Sequence, residues 1–117
     1  MNTLSKAGIL DAVTKLGKDL AWYANPMNHP CRYGHHRHEK YQEQLERCRK
    51  AYFNINNDLQ DPQTELTQLK RVCFTGAESN LLNLILSGIK GELNPKEGWG
   101  WIVSDEGFLV FKEPETK

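Results

Sequence analysis

The sequence predicts an α+β domain that is mainly helical, with about four helices followed by a C-terminal two-stranded β-hairpin. Between residues 4 and 89 the apolar residues recur every three or four positions, which is the period of a helix. After Asn94-Pro95 the pattern changes to short aromatic and β-branched runs around a turn, which is typical of a hairpin. We therefore expect a single compact domain over 1–112 and a flexible tail at 113–117.

The first two helices are predicted from their apolar stripes. The first covers residues 4–23, with a stripe formed by Ile9, Val13, Leu16, Leu20 and Tyr23. Asn25-Pro26 ends it, because proline disfavours helical geometry in the residue before it. Two prolines and a glycine predict a loop over 26–38. A second helix is expected over 39–53, with one side formed by Tyr41, Leu45, Cys48 and Tyr52.

The next two helices are predicted from their start signals. Asp61-Pro62 begins the third, because Asp caps a helix and proline is tolerated at the first helical position. Thr75 and Glu78 have the spacing of a capping box, which places a fourth helix over 76–89. This helix is the most apolar, so we expect it to be the central one. The pair resembles a helix-turn-helix, but its would-be recognition helix offers few polar side chains to bases, so a core helix is the preferred interpretation.

The hairpin combines two apolar strands, Trp99–Val103 and Phe108–Phe111, around a turn that ends in a left-handed Gly107. We expect Trp99, Trp101, Val103, Phe108 and Val110 on one face and Ile102, Leu109 and Phe111 on the other. Both faces are apolar, so one can cover the helices while the other needs more structure or a partner. Aromatic residues dominate interface energies, so the candidate partner-binding residues are Trp99, Trp101 and Phe108. Packing in the core alone is the preferred interpretation, and an exposed docking anchor among these three is the alternative.

Composition narrows the choice of function. Lys plus Arg equal Asp plus Glu at 15 each, so the chain lacks the strong basic excess that drives binding to nucleic acid. The longest apolar stretch, Leu81–Ile89, is far short of the ~20 residues of a membrane span, so no membrane association is expected. Three cysteines without a tight pattern, Cys31, Cys48 and Cys73, predict reduced thiols and a cytoplasmic protein.

One segment, residues 29–50, concentrates histidine and basic residues. It contains the residue types that bind zinc, but their spacing does not form the two ligand pairs of a structural site, so we expect no metal and no cofactor. The weak candidate ligands are His29, Cys31, His35, His36 and His38. The same segment interleaves basic and aromatic residues in a candidate anion or nucleic-acid site, formed by Arg32, Tyr33, Arg37, Lys40, Arg47 and Lys50. Three glutamates, Glu39, Glu43 and Glu46, dilute its charge, so a polar, partly basic loop is the preferred interpretation of this segment.

The sequence contains no Walker loop, zinc-protease motif, nucleophile elbow or dinucleotide fingerprint, so we do not expect an enzyme. The leading hypothesis is a small non-enzymatic interaction protein of adaptor or inhibitor type, by analogy with accessory proteins of phages and mobile elements. It would dock onto a protein or a protein–nucleic-acid complex as a monomer or weak dimer. The alternative is a nucleic-acid-binding domain that uses residues 29–50, with zinc as a stabilising ion.

Overall fold

The computed structural model describes residues 3–25, 27–28, 36–72, 76–93 and 100–111. The described elements follow the order α1 (Lys6–Ala24), α2 (His36–Asn56), α3 (Pro62–Arg71), α4 (Gly76–Lys90), β1 (Trp101–Val103) and β2 (Leu109–Phe111). The predicted fold class, a mainly helical α+β fold with a C-terminal two-stranded hairpin, is confirmed. The predicted tail at 113–117 lies outside the described residues.

Helix α1 contributes the largest share of the described core. The Ser5 hydroxyl oxygen caps it by accepting a 3.0 Å hydrogen bond from the Gly8 backbone N–H. The predicted stripe is buried from Ile9 to Leu20. Helix α4 buries fewer of its apolar residues, and four of them are only half-buried at the edge of the core: Leu81, Leu84, Leu86 and Ile89. The central helix is therefore α1 and not α4, because the hydropathy of a helix does not determine how many of its sides are covered.

Helix α2 begins at His36, so the prediction of a loop through residue 38 is wrong. The last residues that disfavour a helix, Pro30 and Gly34, precede this start, and His and Arg are compatible with helical geometry. Its buried face also differs from the predicted stripe and consists of Gln44, Cys48, Ala51 and Ile55. The shift arises because α2 packs against both α1 and α3.

Helix α3 begins as predicted at Asp61-Pro62. The Asp61 carboxylate accepts hydrogen bonds from the Thr64 backbone N–H at 2.8 Å and from the Thr64 hydroxyl at 2.7 Å. These bonds hold the pKa of the Asp61 carboxyl below its ordinary value, and the bond from the Thr64 hydroxyl has the largest effect. The start of α4 at Gly76 also agrees with the prediction, while the proposed cap Thr75 lies outside the described residues.

The two strands pair antiparallel, with Trp101 opposite Phe111, Ile102 opposite Val110 and Val103 opposite Leu109. The turn is closed by a 2.9 Å hydrogen bond from the Gly107 N–H to the Ser104 carbonyl, and Gly107 has the expected left-handed conformation at φ +86°. Residues opposite each other share a face, so Trp101, Val103, Leu109 and Phe111 lie together, and Ile102 and Val110 lie on the other face. The predicted grouping of Trp101 and Val103 with Val110 is wrong, because Ser104 pairs with Phe108 and this shifts the register by one residue.

None of the helices in the described ranges is both long enough and apolar enough to cross a membrane.

Candidate functional site

The hairpin is attached to the start of α1 through its turn. The Gly107 carbonyl accepts two hydrogen bonds from Ser5, one from the backbone N–H at 2.9 Å and one from the hydroxyl at 3.1 Å. The approach is close because neither backbone carries a side chain there: a Cβ on Gly8 would lie 1.9 Å from the Gly107 carbonyl oxygen. These contacts fix the turn against α1, and the rest of the hairpin is positioned from this point.

One face of the hairpin packs on the helices. Leu109 is buried in the core, and Trp101 and Val103 pack against that core while partly exposed. Val103 also lies close to α4, where its Cγ2 atom would be 3.5 Å from a Cβ on Gly88. One face of the hairpin was predicted to cover the helices, and the face that carries Leu109 does so.

The apolar residues of the hairpin that remain exposed or half-exposed lie on both of its faces, and together we call them the hairpin surface: Trp101 and Phe111 on the face that packs on the helices, and Ile102 and Val110 on the opposite face. Phe111 is 53% exposed and Val110 is 38% exposed. The Phe111 ring stands edge-on to Trp101, with ring centroids 5.5 Å apart and planes at 70°. Phe111 therefore presents an aromatic ring to solvent next to a second ring that is held by the core.

The three candidate partner-binding residues occupy different environments. Trp101 is half-buried beside Phe111, and Phe108 is half-buried where the hairpin meets Gly8. Trp99 lies outside the described residues. Phe111 was not among the predicted partner-binding residues, although it is the most exposed aromatic residue of the described hairpin. The register of the hairpin was the missing information, because it decides which ring lies above the core.

The residues of the candidate anion site have different environments in the structure. Lys40 and Lys50 are exposed on α2, and Arg37 belongs to the first turn of that helix. Arg32 and Tyr33 lie outside the described residues.

Arg47, the remaining candidate, has a structural role. Its Nη1 atom lies 3.0 Å from the buried Glu65 Oε2, and its Nη2 donates to Gln68 Oε1 at 2.8 Å. The Asn54 side-chain amide donates to the other Glu65 oxygen at 3.0 Å. Arg47 thus joins α2 to α3, and its charge is matched within the fold.

The candidate zinc ligands are described only in part. His36 and His38 belong to the first turn of α2, while His29, Cys31 and His35 lie outside the described residues. Among the described side chains, no group of three or more His, Cys, Asp or Glu residues is placed to hold a metal ion.

Cys48 is buried between α1 and α2, as its place on the apolar stripe of α2 predicts. Its thiol contacts the Val13 carbonyl at 3.7 Å. Burial raises the pKa of the Cys48 thiol to about 11, against smaller opposing effects of Arg49 and Arg47. The thiol is therefore protonated at neutral pH and is a poor nucleophile.

Comparison of the chain with protein-family models, with curated proteins and with solved structures gave no match.

Proposed function

We propose that this chain is a small non-enzymatic interaction protein, of adaptor or inhibitor type, that docks onto a partner protein or protein–nucleic-acid complex through the hairpin surface. The observation that supports this most directly is the half-exposed ring of Phe111 beside Trp101. Trp and other aromatic anchors that are surrounded by apolar contacts supply much of the binding energy of protein interfaces.

The attachment of the hairpin strengthens this proposal. The turn is hydrogen-bonded to Ser5 and Leu109 is buried, so the Phe111 ring is presented on a supported scaffold. Binding to a surface that is already ordered costs less conformational entropy than binding to a surface that must first become ordered. The charges also fit a protein partner, because Arg47 of the competing anion site is already paired with Glu65.

The chain offers a matched pair of substitutions to test the proposal. Phe111→Ser and Phe53→Ser remove the same side chain from positions of similar exposure, 53% and 57%, on different elements. We expect partner capture by the tagged protein in host lysate to be lost with Phe111→Ser and retained with Phe53→Ser. Nuclease treatment of the lysate should leave the captured protein in place.

Two results would contradict the proposal. Equal capture by wild type and Phe111→Ser, with both folded by circular dichroism, would remove the hairpin surface from consideration. Capture that nuclease abolishes and that depends on Lys40 and Lys50 would instead support the nucleic-acid-binding alternative.

A further inference from the structure

A groove of about 350 Å³ runs between α1 and α2 and, among the described residues, is lined by these two helices alone. This volume is in the range of ligand sites. The buried residues Val13 and Cys48 contribute to its lining, and Leu45 and Tyr52 contribute apolar area from α2. The groove contains no residue of the hairpin surface, so a ligand bound there would not depend on the function proposed above.

Apart from Lys18, the α1 side of the groove is made of small side chains. A Cβ on Gly17 would lie 3.8 Å from the Cys48 sulfur, so the two helices are in close contact at this level. Ala21 is exposed one turn further along. The Thr14 hydroxyl donates to the Leu10 carbonyl at 2.8 Å, so its hydrogen-bonding capacity is used within α1. A partner backbone can therefore approach α1 closely without losing hydrogen bonds.

The groove is positively charged. Lys18 from α1 and Arg49 from α2 line it, both side chains are exposed, and neither forms an ion pair within the described ranges. No Asp or Glu is among the lining residues. Lys18 follows Gly17 in the sequence, and Arg49 follows Cys48. Because Gly17 and Cys48 are in contact, one positive charge on each helix lies near the middle of the groove.

The dimensions of the groove suit a helix. The lining residues run from Val13 to Ala21 on α1 and from Leu45 to Tyr52 on α2. At the rise of a helix these spans correspond to roughly 12 Å and roughly 10 Å. A docked amphipathic helix places its apolar anchors at i, i+3 or i+4, and i+7, over the same length. An alkyl chain with one terminal carboxylate would match only one of the two central charges, whereas a helix can carry acidic residues on both sides of its apolar stripe.

We propose that the α1–α2 groove binds an amphipathic helix of a partner protein whose apolar stripe is flanked on both sides by acidic residues. The apolar stripe contacts Leu45, Tyr52 and the small residues of α1. The flanking carboxylates pair with Lys18 and Arg49.

The test uses two fluorescein-labelled synthetic peptides of about 18 residues, long enough to form a helix on binding. One carries leucines at i, i+3 and i+7 flanked by glutamates, and the other has lysines in place of the glutamates. Fluorescence anisotropy at low ionic strength should show that the full-length protein binds the acidic peptide at least about tenfold more tightly. In the double variant Lys18→Glu/Arg49→Glu the preference should reverse toward the basic peptide.

Three further variants test whether the peptide binds in this groove. Ala21→Trp fills the groove from an exposed position and should weaken binding of the acidic peptide at least about tenfold. Lys50→Glu/Lys70→Glu makes the same change in net charge at exposed positions outside the groove and should leave the preference unchanged. Thermal melts establish that each variant is folded, and Phe111→Ser should bind the acidic peptide normally, which separates this site from the hairpin surface.

The proposal is overturned if wild type binds both peptides equally, if Ala21→Trp binds as wild type does, or if Lys50→Glu/Lys70→Glu reverses the preference as well. It is also overturned if dodecanoate below its micellar concentration binds in an Ala21→Trp-sensitive manner while the acidic peptide does not bind. That result would identify a small anionic amphiphile as the occupant.

Discussion

Two glycines of α1 should respond to the same substitution with opposite signs. By helix propensity alone, replacing Gly8 or Gly17 with alanine stabilises the helix by about 1 kcal/mol. At Gly17 the new Cβ would be 3.8 Å from the Cys48 sulfur, which is ordinary van der Waals contact. At Gly8 it would be 1.9 Å from the Gly107 carbonyl oxygen, a separation at which the backbones must move apart.

The size of the Gly8 effect follows from what that movement disrupts. Overpacking in a close-packed region costs about 1–3 kcal/mol. Moving the turn also weakens the two hydrogen bonds from Ser5 to the Gly107 carbonyl, each with a net value of about 1 kcal/mol. After the gain in helix propensity, we expect Gly8→Ala to lower the free energy of unfolding by about 2–3 kcal/mol. Gly17→Ala should raise it by up to about 1 kcal/mol.

Urea unfolding followed by circular dichroism measures both variants against wild type, and equal m-values would establish that the same transition is compared. Tryptophan fluorescence adds a second probe of the transition, because Trp101 is in the hairpin and Trp22 is in α1. A Gly8→Ala variant as stable as wild type would show that the turn is not held against α1 at this distance.

Two further predictions concern buried groups. Arg47→Ala leaves the Glu65 carboxylate, whose side chain is 4% exposed, without its ion pair, and should cost about 3 kcal/mol in urea unfolding. Lys6→Ala breaks the exposed pair with Asp58 and should cost less than about 1 kcal/mol; equal losses would contradict the structural role given to Arg47. Because its pKa is raised from 9.0 to about 11, the Cys48 thiol should react with iodoacetamide at pH 9 far more slowly in the folded protein than in urea. The contribution of the protonated Cys48 thiol to the free energy of unfolding is fully present below pH 9 and is lost as the pH rises through 11. Replacing Cys48 with alanine should therefore make the free energy of unfolding fall less steeply over this pH range.

The sequence predicted the features that depend on neighbouring residues. The start of α3 follows from the Asp61 cap and Pro62, and the turn of the hairpin follows from the conformational freedom of Gly107, which are local properties. The start of α2 was placed three residues late because the composition of residues 26–38 suggested a loop, although the helix-breaking residues end at Gly34.

The candidate sites depend on contacts between distant parts of the chain, and these were predicted less well. A one-residue difference in the hairpin register decided whether Phe111 or Val110 shares a face with Trp101. The α1–α2 groove requires Gly17 to meet Cys48, and no local pattern in either helix indicates that contact. The charge of Arg47 was visible in the sequence, but its neutralisation by Glu65 depends on how α3 packs.

The hydrogen bonds between Ser5 and Gly107 join residues that are 102 positions apart, which has a consequence for the order of folding. In an unfolded chain, closing a loop of this length costs about 4 kcal/mol of entropy, more than two hydrogen bonds return. We therefore expect this contact to form after the helices have shortened the path between its ends, and to open before them when the protein unfolds. A partner bound at the hairpin surface would hold the part of the fold that assembles last, and in doing so would slow the first step of unfolding.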